Sequence, residues 1–246
     1  MGIIVKNLSF SYPGSDKKIL DGISFTVEDG GFVGVVGPTS SGKTTLAYCL
    51  NGLIPNSIRG NFSGEVYVDG RLTTKSKVSD LAKKVGLVFQ DPDWQLFSLT
   101  VKDEVSFGLK NLKMDRIEER VKEALEIVGL HGFEEREPYR LSQGQKQMLC
   151  IACVIAMQPK TIVLDEPTSN LDYKHTKNIY NLLKKLNKEG KTIIIIEHDT
   201  DLLAEYAERI LVLSEGKLLR NGSKKEVFSE KDFLEKLGIK VPRVEF

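Results

Sequence analysis

Residues 37 to 45 read GPTSSGKTT, and Gly37, Gly42, Lys43 and Thr44 meet the spacing G-x-x-x-x-G-K-[ST]. A loop of this kind, here Gly37, Pro38, Thr39, Ser40, Ser41, Gly42, Lys43, Thr44 and Thr45, aims backbone N–H groups and a helix N-terminus at the β- and γ-phosphates of a nucleoside triphosphate. Lys43 adds a point charge, and the Thr44 hydroxyl reaches Mg²⁺. The alternative, a plain glycine turn before a helix, leaves the lysine and threonine without a purpose.

A second group lies in TIVLDEP, where an apolar run delivers Asp165 and Glu166 to the end of a strand. Parallel sheets bind ligands at that edge. Asp165 is placed to hold Mg²⁺ through water, and Glu166 to orient or deprotonate an attacking water. His198 follows the run TIIIIE in the same way and is assigned a γ-phosphate contact, whereas His131 and His175 sit in polar surroundings and receive no role. LSQGQKQ, residues 141–147, opens a helix; on physical grounds Ser142 is a helix cap and Gly144 a point of close backbone approach.

These residues need a scaffold of buried parallel strands. FVGVVG, TIVLDEP and TIIIIEH are continuous apolar runs suited to it, while GIIVKNLSFSY and ISFTVEDG alternate like antiparallel strands with one wet face. The expected fold is therefore α/β with a mixed central sheet, an antiparallel β arm that includes GEVYVDGR, and a helical subdomain at about 91–158. SGKTTLAYCLNGL is expected as a helix ending before Pro55. HTKNIYNLLKKLNKEG is a helix ending at Gly190, and KKEVFSEKDFLEKLGIK is a short amphipathic helical tail stopped before Pro242. The expected division is an ATPase domain at 1–222 and a tail at 223–246.

Composition narrows the function classes. The chain has 246 residues, with 35 Lys plus Arg against 34 Asp plus Glu, so no global basic field points to nucleic acid or an anionic membrane. No apolar run approaches the ~20 residues needed to cross a bilayer. The opening MGIIVKNLSF has neither the form of a signal peptide nor a myristoylation site, which predicts a cytoplasmic protein. Cys49, Cys150 and Cys153 give no disulfide framework, and Cys150 and Cys153 fall on one apolar helix face, so buried thiols are expected rather than redox or zinc chemistry.

The order GPTSSGKTT, Gln90, LSQGQ, TIVLDEPTSNLD, His198 resembles the ATP-binding cassette (ABC) ATPases over essentially the whole chain. The resemblance implies a P-loop NTPase of the ABC cassette type working as a head-to-tail dimer, with each ATP between one subunit's phosphate loop and the other's signature motif, Leu141, Ser142, Gln143, Gly144 and Gln145. It further implies that Tyr12 stacks on adenine, that Gln90 senses Mg²⁺ and the attacking water, and that Glu166 is the catalytic base. His198 would be the γ-phosphate switch, and Asp172 would communicate across the interface. Three residues depart from the family pattern: Ser40 and Gln143 replace glycines, and Met148 replaces a basic residue. A competent site is still expected, with Ser40 tolerated.

VFQDPDWQLFSLTVKDEVSFGL, residues 88–109, is similar to the segment after the glutamine loop in energy-coupling factor (ECF) ATPases and their cobalt- or nickel-importer relatives. Asp91, Asp93, Asp103 and Glu104 around Trp94, Leu96 and Phe97 suggest an acidic rim about an apolar centre, suited to a basic amphipathic helix. The resemblance implies docking of a membrane T component through Asp91, Asp93 and Trp94, with a substrate-binding S component beside it. The second ATPase would be an identical chain or a paralogue, ATP and Mg²⁺ would be the cofactors, and the protein would sit at the cytoplasmic face of the membrane. The rival readings are the ATPase of a conventional ABC transporter with two ordinary permeases, and a soluble ABC ATPase acting on ribosomes or DNA.

Overall fold

The computed structural model describes residues 2–169 and 171–244; Met1, Asn170 of the SNLD stretch, Glu245 and Phe246 lie outside the described residues. The chain opens with the antiparallel strands β1 (Ile3–Ser11) and β2 (Leu20–Val27), followed by β3 (Phe32–Val36), whose end becomes the phosphate loop. Helices α1 (Lys43–Leu50) and α2 (Leu53–Asn56) come next. They are separated at Gly52, whose φ is +78° and where a Cβ would lie 2.2 Å from Leu81 Cδ1, so the expected single helix breaks and Pro55 falls inside the second turn. Strands β4 (Asn61–Val68) and β5 (Arg71–Leu72), α3 (Val78–Ala82) and β6 (Val85–Val88) lead to Gln90.

Three helices follow: α4 (Val101–Asn111), α5 (Ile117–Ile127) and α6 (Gln143–Ala156). Then come β7 (Thr161–Asp165), α7 (Tyr173–Lys188), β8 (Thr192–Ile196), α8 (Thr200–Tyr206), and the hairpin of β9 (Arg209–Ser214) and β10 (Lys217–Ser223). The expected single tail helix is two short ones, α9 (Lys224–Ser229) and α10 (Lys231–Lys236), divided at Glu230, where ψ is 61°. Val227, Phe228, Leu234 and Ile239 are buried in the same core as α7 and α8, so the tail's apolar face is covered by its own domain.

The strands form two sheets. The antiparallel one has the order β2-β1-β4-β5, and the central one the order β10-β9-β3-β8-β7-β6, parallel throughout except for β10. All five residues of β3, β7 and β8 are buried, because both faces of the sheet are covered. Alternate residues serve opposite layers. Ile193 and Ile195 pack with the helices, and Ile194 and Ile196 with the antiparallel sheet and α1. Burying a side chain of this kind contributes about 1.5–3 kcal/mol. Since β8 runs between β3 and β7, their ends set the phosphate loop, His198 and the Asp165–Glu166 pair side by side.

Candidate nucleotide site

The phosphate loop is held in shape before any ligand enters. Lys43, itself buried, donates through Nζ to the carbonyls of Gly37 and Pro38, each at 2.9 Å. Burial pulls its ammonium below the ordinary lysine range, and the Glu166 and Asp165 carboxylates oppose that shift. Gly37 has no room for a side chain, since a Cβ would stand 2.1 Å from the Leu213 carbonyl oxygen. Gly42 caps α1 at φ +103°, a conformation reserved in practice for glycine.

Ser40 also sits at positive φ, +63°. A side chain there costs about 1 kcal/mol. Glycine would relieve that strain but lose a similar amount to the greater freedom of the unfolded chain. Ser40→Gly is therefore expected to leave ATP affinity within tenfold of the parent and to shift Tm by less than about 3 °C. Titration calorimetry and thermal melts check this, and a tenfold gain in affinity would mean the strain is larger than the balance allows.

Asp165 ends β7 buried, with Oδ1 lacking a hydrogen-bond partner among the described residues. Burial pushes its carboxyl above the usual carboxylate range, and a hydrogen bond from Thr44 works against that. Ser41 Oγ is likewise buried and without a partner among the described residues. Buried oxygens of this kind, one on the phosphate loop and one at the end of β7, are costly unless paired, and a phosphate or cation would use them.

Glu166 bends out of the strand at φ +46°. Its Oε2 accepts from Gln90 Nε2 at 2.8 Å, and its Oε1 is 2.8 Å from His198 Nε2. Gln90 lies 76 residues away in sequence and His198 32, so the three assigned catalytic side chains meet in one cluster. A cavity of about 450 Å³ joins this cluster to the loop, lined by Ile19, Thr39 to Thr45, Gln90, Glu166 and His198. Tyr12 stands beside it, half-buried, its hydroxyl 3.3 Å from Thr45 Oγ1 and its ring edge-on to Phe10.

Leu141 to Gln145 contribute nothing to that lining. Ser142 caps α6, accepting from the Gln145 backbone N–H at 3.4 Å while Gln145 Oε1 accepts from the Ser142 N–H at 3.0 Å. This reciprocal box fixes the first turn of the helix. Gln143 is half-exposed, and Met148 packs on the core. Gly144 is buried under His175, whose Cδ2 would lie 2.5 Å from an added Cβ. His175, assigned no role by sequence, donates its backbone N–H to Asp172 Oδ1 at 2.8 Å and places Nδ1 at 2.8 Å and 2.9 Å from the two Asp172 oxygens; the backbone bond first, and the ring contact with it, hold the Asp172 carboxyl below its usual range. Asp172 caps α7, and its i,i+3 spacing to His175 was the available signal.

The segment after Gln90 differs in part from the expected rim. Glu104 is 4% exposed and turned inward, where it accepts from the backbone N–H groups of Phe97 at 2.8 Å and Ser98 at 2.6 Å, so it is not a rim acid. Leu96 packs against the core, whereas Trp94 is 86% and Leu99 83% exposed. Asp91 caps the turn Pro92–Trp94 through the Asp93 N–H. Asp93 pairs with Lys146 of α6 at 2.6 Å, and a cavity of about 290 Å³ opens between these and Phe97, Glu137 and Tyr139. Cys49 and Cys150 are buried and Cys153 half-buried; burial raises all three thiols. Among the described residues no helix is long and apolar enough to cross a membrane.

Comparison with known proteins gives this arrangement a family. The sequence model of the ABC transporter family matches residues 20–169. The energy-coupling factor transporter ATP-binding protein EcfA of Methanocaldococcus jannaschii is 45% identical, over 97% of this chain and 85% of its own. The structure of cbiO1 from Clostridium perfringens, part of the ABC transporter complex cbiONQ, superimposes with a TM-score of 0.82 at 36% identity, covering 98% of this chain and 96% of that one. The dimeric post-hydrolysis state of the ATP-binding cassette MJ0796, bound to ADP and Pi, gives a TM-score of 0.79 at 31% identity, over 90% and 98% of the two chains. With the phosphate loop, the Asp165–Glu166 strand end and His198 gathered on one edge of a mixed α/β sheet, the chain belongs to the ABC transporter family, as an ATP-binding domain that hydrolyses ATP.

Proposed function

We propose that this chain is the ATPase subunit of an energy-coupling factor importer, driving uptake of a vitamin or transition-metal ion through membrane T and S components. The supporting observation is the exposed apolar surface of Trp94, Phe97 and Leu99, on the segment following Gln90, together with Tyr139 from the turn before α6, beside Asp93 and Glu137. Exposed aromatics next to acids suit a basic amphipathic helix of a membrane partner. Through such a partner the chain would lie at the cytoplasmic face of the membrane, and nucleic acid has no place in this reading. The ATPase domain spans 1–222, with the helical insert at about 91–158 and the tail at 223–246.

In this reading ATP lies on the Gly37 to Thr45 loop with adenine against Tyr12. Leu141 to Gln145 of a second subunit, identical or paralogous, complete the site, which is why one chain's cavity lacks them, and Asp172 meets the opposite subunit. The unpaired Asp165 Oδ1, the Thr44 hydroxyl and the Gln90 amide fit Mg²⁺, a hard cation that takes few protein oxygens and leaves room for phosphate and water. Mg²⁺ bound there would neutralise charge on the β- and γ-phosphate oxygens. Glu166 accepts the proton of the attacking water, and His198 holds Glu166 and reads the γ-phosphate. Turnover then opens and closes the subunit pair and moves the Trp94 surface.

Asp93→Arg puts a cation beside Lys146, where like charges repel and a basic partner helix is refused. Recovery of membrane partners by affinity capture from detergent-solubilised native membranes is expected to fall at least tenfold, with ATP affinity unchanged. Asp91→Arg, at the turn's cap, is expected to act in the same direction. Undiminished capture by both variants would overturn the docking assignment. Capture of two ordinary permeases, or of ribosomal proteins, by the parent would replace the importer reading and leave the ATPase standing.

A further inference from the structure

Glu197 lies between the last residue of β8 and His198, 4% exposed. Its Oε1 accepts from the Thr168 hydroxyl at 2.7 Å and from the Thr168 backbone N–H at 3.2 Å, and its Oε2 from the His198 backbone N–H at 3.3 Å. Thr168 follows Glu166 by two residues, in the loop running toward Asp172. One buried carboxylate thus joins the two segments that carry the two ends of the Glu166–His198 contact. Burying a carboxylate is unfavourable unless its acceptors are used, and all three of these bonds go to the segments flanking the catalytic pair.

We propose that Glu197 is a positioning residue for ATP hydrolysis: by tying Thr168 to the backbone of His198, it sets the His198 ring against the Glu166 carboxylate. The inference rests on Glu166 and His198 acting as assigned above. It does not depend on which membrane partner the chain serves.

The charges around the clamp give it a pH dependence. Burial pushes the Glu197 carboxyl up to about 7, against the lowering effect of the Thr168 hydrogen bonds and with a further rise from the Glu166 charge. Tyr180 of α7 faces it as well; its phenol is buried, lacks a hydrogen-bond partner among the described residues, and is raised by burial and by the charges of Glu197 and Asp199. Below about pH 7 a neutral carboxyl is a weaker acceptor for Thr168 and His198, so the clamp loosens. The contribution of Glu197 to kcat therefore rises as pH increases through that region.

The test is steady-state ATP hydrolysis from pH 6 to 9 by the full-length protein, with Kd for ATP and Tm measured alongside. Thr168→Val and Glu197→Ala are each expected to lower kcat at least tenfold with KM and Kd within threefold of the parent, and the double variant to be no slower than the worse single one. Glu197→Gln keeps an oxygen for Thr168 but turns its amide NH₂ toward the His198 N–H; its kcat at pH 8 is expected between those of the parent and Glu197→Ala, without the rise through pH 7. Parental kcat in Thr168→Val would overturn the clamp even if Glu197→Ala fails to fold. So would multiplicative losses in the double variant, or a Glu197→Gln profile that keeps the parental rise. Glu166→Gln, run in parallel, separates the two failures: if it retains turnover, the assignment of the base is wrong, whatever the clamp does.

Discussion

Glu166→Gln is expected to lower ATP turnover by about three orders of magnitude while leaving ATP binding intact. The carboxylate stands between two side-chain groups, Gln90 Nε2 on one oxygen and His198 Nε2 on the other, each at 2.8 Å. As an anion it accepts from both and still has lone pairs for a water proton. A glutamine has one oxygen. Its amide NH₂ must face either Gln90, donor against donor, or His198, whose Nε2 must then give up its proton and accept, and in both cases no basic oxygen is left for the water. Ground-state affinity is expected to be untouched, because the proposed site assigns phosphate binding to the loop around Lys43 and not to Glu166. Single-turnover hydrolysis and equilibrium ATP binding check the two halves separately. Since ATP would then persist between subunits, the variant is also expected to elute as a dimer with ATP and Mg²⁺ by size exclusion, where the parent returns to monomer. Turnover within tenfold of the parent would exclude Glu166 as the base.

What sequence could foretell here follows the range of the interaction involved. The phosphate loop was legible because its glycines, lysine and threonine stand at fixed spacing in a nine-residue string: Gly42 takes a φ of +103°, a local requirement, while the long-range approach of Gly37 to the Leu213 carbonyl shows only as a glycine at the right place. Strands β3, β7 and β8 were legible because burial on both faces writes itself as continuous apolar residues. Glu104 misled, although the signal was present: it falls on the helix face of Val101, Val105 and Leu109, all buried, and so points inward to the Phe97 and Ser98 N–H groups. Glu197 carried no comparable mark, and His175 only its i,i+3 spacing to Asp172. Their partners, Thr168 and Gly144, stand about 30 residues away, and nothing in local spacing reports a contact made by folding. The tail, read as one helix, divides at Glu230, and both halves bury apolar residues, Val227 and Phe228 before the break and Leu234 after it, in one core with distant elements.

Lys43→Met carries the other large effect, and its two readouts are expected to move apart. In the free protein the ammonium is fastened to the Gly37 and Pro38 carbonyls, so the loop is held open for phosphate at the expense of burying a charge. The lowered pKa of Lys43 records that expense. Methionine fills similar volume without the charge: it loses two hydrogen bonds, at about 1 kcal/mol each, and removes a desolvation penalty of comparable size. The nucleotide-free Tm is therefore expected to shift by less than about 4 °C. ATP, in contrast, would lose the buried Lys43 ammonium, and a charge-assisted contact to phosphate contributes about 1.5–3 kcal/mol. With the loop carbonyls also released, Kd is expected to rise at least about a hundredfold. Calorimetric titration with ATP, set beside thermal melts with and without ATP and Mg²⁺, decides the matter. Parental affinity would mean that the loop's backbone N–H groups bind the phosphates unaided. A collapse of the nucleotide-free melt would mean that Lys43 serves the fold before it serves the ligand.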